Sequence, residues 1–345
     1  MLPPAPCHRI LIVTDAWRPQ VNGVVRTMST VVEELRAMGH VVDVIGPDRF
    51  RTFPCPTYPD IRLALLPRRR LVRLTEAFDP DALHIVTEGP LGLAARSWAK
   101  RNGFAFTTSF HTRFAEYIKA RTRLPVRPIY AWMRRFHGAG KGTMVATQSL
   151  REELTARGFG NIRAWTRGVD LDLFKPYPRT EFQHLPGPIF VYIGRIAVEK
   201  NIGAFLDLDL PGSKVVVGGG PQLVSLQRDY PDVTFTGPRY GEALARAYAG
   251  ADVFVFPSLT DTFGLVILEA LACGTPVAAF PVTGPKDVLT DAHGRIGAVN
   301  MDLRLAALDA LGADRAACLM HAERYSWRAC AESFLSHLVP INRPR

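Results

Sequence analysis

The sequence predicts an α/β protein made of two doubly wound parallel-sheet units, and three observations carry that prediction. Short β-branched or apolar runs alternate with helix-length amphipathic segments. The alternation stops at a proline-rich stretch and then restarts. The chain, at 345 residues, is too long for one ordinary compact domain and comfortable for two.

The first series of strands is read at Ile10–Thr14, Val41–Ile45, Leu83–Val86, Ala105–Ser109 and Met144–Thr147, with helical stretches between most of them. Strands separated by helices form a parallel sheet with helices on both faces. Pro176, Pro178, Pro186, Gly187 and Pro188 then suit an extended linker better than any helix or strand interior. The boundary is placed near residue 177, giving domains 1–177 and 178–345. The second series follows at Ile189–Gly194, Lys214–Gly218, Val233–Thr236, Asp252–Phe256 and Pro276–Phe280. The last segment, Ser326 to Leu338, carries Trp327, Phe334 and Leu335 on a helical pattern and is compatible with packing on either domain.

Hydrophobic residues make up 47% of the chain and no segment is low in complexity, so the whole length is expected to fold. The longest apolar runs are strand-length, and the N-terminus lacks the charged-then-apolar order of a signal peptide, which predicts a cytoplasmic protein with no spanning helix. The five cysteines are odd in number and form no CxxC pair, against both a disulfide framework and a zinc site. The net charge of +10 is uneven: residues 1–175 hold 27 Lys and Arg against 15 Asp and Glu, leaving 15 against 17 for the remainder. Between Arg113 and Lys141 lie eight basic residues and one acid, Glu116, interleaved with Phe114, Tyr117, Tyr130, Trp132 and Phe136. Such a mixture suits an anionic membrane surface or a nucleic acid, or simply a solvated helical face. Arg113, Lys119, Arg121, Arg123, Trp132, Arg134 and Arg135 are the candidates for an acceptor or membrane surface. Arg68, Arg69 and Arg70, after Pro67, read as an exposed loop.

In open α/β sheets ligands bind outside the carboxyl ends of the strands, so polar residues just beyond each strand are the candidates. After the first strand, Asp15 leads to Asn22-Gly23-Val24, where a helix start offers amides to a phosphate, although Gly23 alone equally suits a turn. Gly194-Arg195 with Lys200 places two cations between a strand end and a helix start, where together they can neutralise a diphosphate leaving group, although either alone also suits a solvated loop. Gly218-Gly219-Gly220-Pro221 reads as a close backbone approach or a tight turn. Beyond the strand ending at Phe256 comes Asp261-Thr-Phe263-Gly264-Leu265, then a helix that carries Glu269 among apolar neighbours. A carboxylate there needs hydrogen-bond donors, and ribose hydroxyls or a neighbouring amide would serve.

Gly194-Arg195 with Lys200, Asp261-x7-Glu269 and Gly274-Thr-Pro276-Val together resemble glycosyltransferase family four, whose two Rossmann-like domains form the architecture called GT-B, with the active site in the interdomain cleft. The family's usual first acid in that spacing is Glu, where this sequence has Asp261. The resemblance implies a metal-independent, retaining transferase with no cofactor, in which the leaving phosphate helps to deprotonate the acceptor; no DxD motif at a strand end suggests a metal bound to a diphosphate. It implies that Arg195 and Lys200 hold the diphosphate, that Glu269 holds the ribose hydroxyls, and that Phe263, Gly264 and Leu265 present backbone amides to phosphate or sugar. Gly23 and Gly194 would line the donor site. His111, in Ser109-Phe-His111-Thr-Arg113, would contact the transferred sugar, and Arg167-Gly168-Val169-Asp170 resembles the interdomain segment. Catalysis is thus expected from His111, Arg195, Lys200 and Asp261. The run from Thr87-Glu88 is similar to the branch containing glycosyl- or sulfoquinovosyl-diacylglycerol synthases and mannosyltransferases. That likeness implies a UDP-hexose donor, with GDP-mannose as the alternative, and a lipid acceptor such as diacylglycerol at the inner face of a membrane.

Other classes fit less well. A nucleotide-sugar epimerase shares the architecture, but the resemblance at the Arg195/Lys200 and Asp261/Glu269 segments favours transfer. An NAD-dependent oxidoreductase needs GxGxxG after its first strand, which is missing. A nucleic-acid binder explains only the charge.

Overall fold

The computed structural model describes residues 8–20, 22–55, 58–116, 119, 125–290 and 294–341, and the chain divides into two compact units: residues 1–166 with 327–345, and residues 167–326.

The first unit holds a parallel sheet of β1 (Arg9–Val13), β2 (Val41–Ile45), β5 (Ala82–Ile85), β6 (Thr107–Phe110), β7 (Gly142–Val145) and β8 (Ile162–Ala164), in the order β2-β1-β5-β6-β7-β8. A separate antiparallel hairpin, β3 (Thr52–Cys55) with β4 (Tyr58–Ala64), is inserted between β2 and β5. Strands β5, β6 and β7 are buried along their whole length, as a sheet covered on both faces requires. The covering helices are α1 (Gly23–Ala37), α2 (Arg68–Phe78), α3 (Pro90–Arg101), α4 (Val126–His137) and α5 (Gln148–Ala156). Helix α1 shows how the pattern works: Val25, Met28, Val31, Val32 and Leu35 recur on one face and are buried.

The second unit repeats the plan with β9 (Ile189–Ile193), β10 (Ser213–Val217), β11 (Thr234–Gly237), β12 (Val253–Phe256), β13 (Val277–Ala279) and β14 (Gly297–Val299), ordered β11-β10-β9-β12-β13-β14. That order reverses direction between β9 and β12, the point where doubly wound sheets open a ligand crevice. Its helices are α6 (Gly203–Leu206), α7 (Leu223–Asp229), α8 (Gly241–Gly250), α9 (Leu265–Ala272), α10 (Pro285–Thr290), α11 (Leu303–Ala310) and α12 (Arg315–Ala322). Its core gathers Phe190, Tyr192, Phe205, Val216 and Val255 around the sheet.

The final helix, α13 (Trp327–His337), belongs to the first unit and packs along α1. Trp165 donates its indole N–H to the Cys330 carbonyl at 3.1 Å, and Phe334 lies 5.2 Å from the Trp165 ring.

Two expectations need correction. The division falls after Thr166, not near residue 177, because residues 167–177 are tied into the second unit: the Val169 amide donates to the Tyr325 carbonyl, and buried Phe174 meets Tyr248 edge-on. The prolines from 176 to 188 are not a spacer either. Phe182 is buried there, Arg179 pairs with Asp252, and Glu181 with Arg239. No helix among the described residues is long and apolar enough to cross a membrane.

Candidate functional site

In the second unit, the carboxyl ends of β9 and β12 flank the reversal point, and the predicted cluster assembles there. Beyond β9 the chain passes Gly194, whose φ is +155° and whose amide donates to the Val217 carbonyl. It then closes one tight turn over Val198–Lys200 and leaves it through Asn201 in the left-handed region (φ +53°). The Asn201 side-chain amide donates to the Pro257 carbonyl at 3.1 Å, fastening this loop to the end of β12. Lys200 Nζ thereby reaches both carboxylate oxygens of Asp261, at 2.7 and 2.8 Å. The Tyr192 hydroxyl donates to the Arg195 carbonyl at 2.7 Å, and burial with the nearby Asp261 and Glu199 charges pushes its ionisation far above the ordinary phenol range. The sequence thus pairs Lys200 with Asp261 across 61 residues, a contact that neither motif announces by itself.

The three glycines after β10 have a definite structural job. A side chain at Gly218 would collide with the Gly194 carbonyl oxygen, and one at Gly220 with that of Ile196. The Ile196 amide donates to the Gly219 carbonyl. The loop after β10 is therefore a backbone clasp behind Arg195, so the close approach predicted for it is made to protein.

Helix α9 begins at Leu265 with Gly264 as its cap at φ +84°. No hydrogen bond from the amides of Phe263, Gly264 or Leu265 is found among the described residues, as expected for a helix start without a side-chain cap. These amides suit an anion. Glu269 is buried on the same helix, and the hydroxyl of Tyr248, on α8, donates to it at 3.0 Å. Tyr248 was not foreseen: inside the alanine-rich segment of α8 it reads as core.

In the first unit, His111 follows β6, is half-buried and stands edge-on to Trp165 with ring centres 5.7 Å apart. Gly23 opens α1 and is exposed, but the amides of Val24 and Val25 both donate to the Asn22 side chain at 3.0 Å. The expected anion-accepting helix start is thus already capped by asparagine, a strong N-cap residue. Two carboxylates stand at the carboxyl ends of β1 and β5, where this sheet also reverses. Asp15 is buried and accepts from the Leu91 and Gly92 amides and the Thr87 hydroxyl, while burial raises its pKa to about 6. Glu88 accepts from His137 Nε2 at 3.0 Å. Neighbouring His84 is fully buried between Thr107 and Ser109, and burial lowers its pKa to about 3. Two buried strand-end hydroxyls, Thr147 and Ser258, have no hydrogen-bond partner among the described residues. The sequence offers no signal for either.

The basic and aromatic stretch divides on folding. Tyr130 and Phe136 are core residues, whereas Phe114 and Trp132 are exposed and line, with Pro128 and Ile129, an apolar concavity of about 380 Å³. Lys119, Arg134 and Arg135 are exposed near it in sequence; Arg134 also donates to the Arg157 carbonyl. Arg113 does not belong to this surface, because it is largely buried against Glu153 at 2.6 Å and near Glu116. Arg121 and Arg123 lie outside the described residues. Arg68, Arg69 and Arg70 form the first turn of α2, not a loop, and Arg68 and Arg69 join Arg73 and Arg101 around a second concavity of about 570 Å³. Among the described residues, no group of three His, Cys, Asp or Glu side chains converges as a metal site would require.

Two families of known proteins match the chain, one after the other. Residues 21–173 match the family described as Glycosyltransferase Family 4, and residues 187–308 match Glycosyl transferases group 1. A GDP-mannose-dependent alpha-mannosyltransferase of Mycobacterium tuberculosis is 34% identical over 307 residues, covering 82% of this chain and 81% of that protein. An alpha-monoglucosyldiacylglycerol synthase of Streptococcus pneumoniae is 28% identical, covering 88% of this chain and 78% of that one. Among solved structures, sucrose-phosphate synthase of Thermosynechococcus elongatus superposes with a TM-score of 0.75 at 22% identity, over 95% of this chain and 97% of the other. The chain therefore belongs to glycosyltransferase family 4, and is a glycosyltransferase of the two-domain GT-B fold that uses a nucleotide sugar.

Proposed function

We propose that the protein is a retaining, metal-independent hexosyltransferase that glycosylates a membrane lipid bearing a free hydroxyl, such as diacylglycerol. The observation that carries this reading is the meeting of Lys200 with Asp261 at the reversal point of the second sheet, beside Arg195 and the unpaired amides of residues 263–265. A diphosphate placed there meets two cations and a helix start, which stabilise the charge that develops on the leaving group. Those cations take the part a metal ion plays elsewhere. Glu269 would hold the ribose, Gly194 and Gly23 would line the donor's path, and His111 would contact the transferred hexose.

The donor is a hexose on GDP or UDP. The relative at 34% identity is named as GDP-mannose-dependent, which makes GDP-mannose the first donor to test, with UDP-hexose, favoured from the sequence, beside it. The lipid acceptor is supported by the diacylglycerol in the other relative's name and by the apolar concavity at Phe114 and Trp132 with Arg134 and Arg135 on the same helix as Trp132. Such a surface supports peripheral binding to an anionic leaflet.

The experiment is a transfer assay with GDP-mannose, UDP-glucose and UDP-galactose, with and without diacylglycerol in mixed micelles, in EDTA. Transfer to lipid in EDTA is the expected result. Complete loss of activity in EDTA would overturn the metal-free reading, and transfer only to soluble saccharides would overturn the lipid one.

A further inference from the structure

We propose that Glu88 is the acceptor-hydroxyl contact of the first unit, positioned for that task by His137, and that it selects an uncharged hydroxyl acceptor over a phosphorylated one. The inference rests on the transferase reading above and deepens it.

Glu88 stands immediately beyond β5, next to the carboxyl end of β1, where the first sheet reverses direction. This is the position at which open α/β sheets take their ligand. Its hydrogen bonding divides its two oxygens unequally. Oε1 accepts from His137 Nε2 at 3.0 Å, while Oε2 has no partner among the described residues. His137 itself has 1% of its side chain exposed, whereas Glu88 keeps 17%. The histidine is fixed from behind by Thr108, whose hydroxyl lies 2.9 Å from Nδ1 and 3.2 Å from the Thr143 hydroxyl. The chain thus runs from a rigid strand interior to one half-open carboxylate, with the buried end spent on orientation and the open end available.

A simple structural role for Glu88 would be satisfied by any neutral acceptor facing His137. A carboxylate with an open second oxygen offers more, because ionised acceptors make the stronger hydrogen bonds to hydroxyls. Asp15 lies close enough to feel the Glu88 charge. Two acidic side chains at one strand-end position repel a phosphate, whereas a sugar or glycerol hydroxyl gains a partner. The basic concavity of this unit, at Arg68, Arg69, Arg73 and Arg101, is formed by α2 and the last residue of α3.

The test is steady-state kinetics on Glu88→Gln, His137→Leu and His137→Gln, using the donor and acceptor on which the wild type works. Glu88→Gln is expected to raise the acceptor KM about tenfold while the donor KM moves less than twofold. His137→Leu should shift the acceptor KM in the same direction, and His137→Gln, which keeps an N–H near the Nε2 position, should restore most of the loss. Thermal melting checks that each variant folds. Should His137→Leu unfold, Glu88→Gln and His137→Gln still decide. An acceptor KM unchanged in folded Glu88→Gln, or a donor KM that rises with it, overturns the proposal. No transfer by the wild type to any acceptor overturns the transferase reading, and this one with it.

Discussion

Lys200 separates the demands of stability from those of chemistry. Its pair with Asp261 is partly exposed, at 24% and 20%, so the pair contributes about 1 kcal/mol or less to the fold. On the proposed reading, the same charge would be worth about 3 to 4 kcal/mol against a departing diphosphate. Lys200→Gln is therefore expected to lower kcat by about 10² to 10³ while the urea midpoint barely moves; a large loss of stability with near-normal kcat would reverse that assignment. Asp15 makes the opposite kind of prediction. Its pKa in the folded chain, about 6, lies above the ordinary 3.8, so the native state binds a proton more tightly than the unfolded state. The stability this confers is fully present below about pH 4 and is lost as pH rises through 6, a change of about 3 kcal/mol. Urea titrations of wild type and Asp15→Asn between pH 4.5 and 7 should show the wild type losing stability relative to the variant as pH rises. Parallel curves would mean that the amide bonds from Leu91 and Gly92 keep Asp15 ionised throughout.

At the scale of elements, the loop after β10 offers an internal control. Gly218 and Gly220 have φ near +155° and no room for a side chain against the backbone of the Arg195 loop. Gly219, between them, would place an added carbon 3.8 Å from Pro238, an ordinary contact. Gly218→Ala and Gly220→Ala should each cost about 3 kcal/mol or more, and Gly219→Ala less than about 1, as read by urea denaturation. Equal effects at all three would show that the clasp is not what holds the loop. Strand ends were the most legible feature of the sequence: the largely buried runs of β1, β2, β9 and β12 announce themselves, and residues just after β9 and β12 supplied Arg195, Lys200 and Asp261. The hairpin β3–β4 was hidden by Pro54, Pro56 and Pro59, which read as loop. Three-residue edge strands such as β8 and β14 carry too few residues to show a period. Glu88, His137 and Tyr248 escaped because their partners lie 49 or 21 residues away and no local pattern joins them.

At the scale of the whole molecule, the chain leaves the first unit after Thr166 and returns at Trp327, so the second unit is one continuous segment and the first is not. The proline-rich stretch drew the eye because composition marks it, whereas the true crossing carries no proline and is set by packing of Val169 and Phe174. The discontinuity has an energetic consequence. Helix α13 buries Trp327, Cys330, Ala331 and Phe334, and Ile341 beyond it donates to the Asp81 carbonyl. The two aromatic side chains alone stabilise the first unit by about 3 to 6 kcal/mol, a large share of a typical domain's total of about 5 to 15. Residues 1–166 expressed alone should therefore lack a cooperative urea transition. Residues 167–326 keep an intact sheet and contain Arg195, Lys200, Asp261, Glu269 and the amides of 263–265. That segment should unfold cooperatively and bind GDP or UDP in calorimetry, with affinity lowered by Lys200→Gln. A folded segment 167–326 that binds neither nucleotide would place donor recognition outside the second unit and remove the argument built on its strand ends.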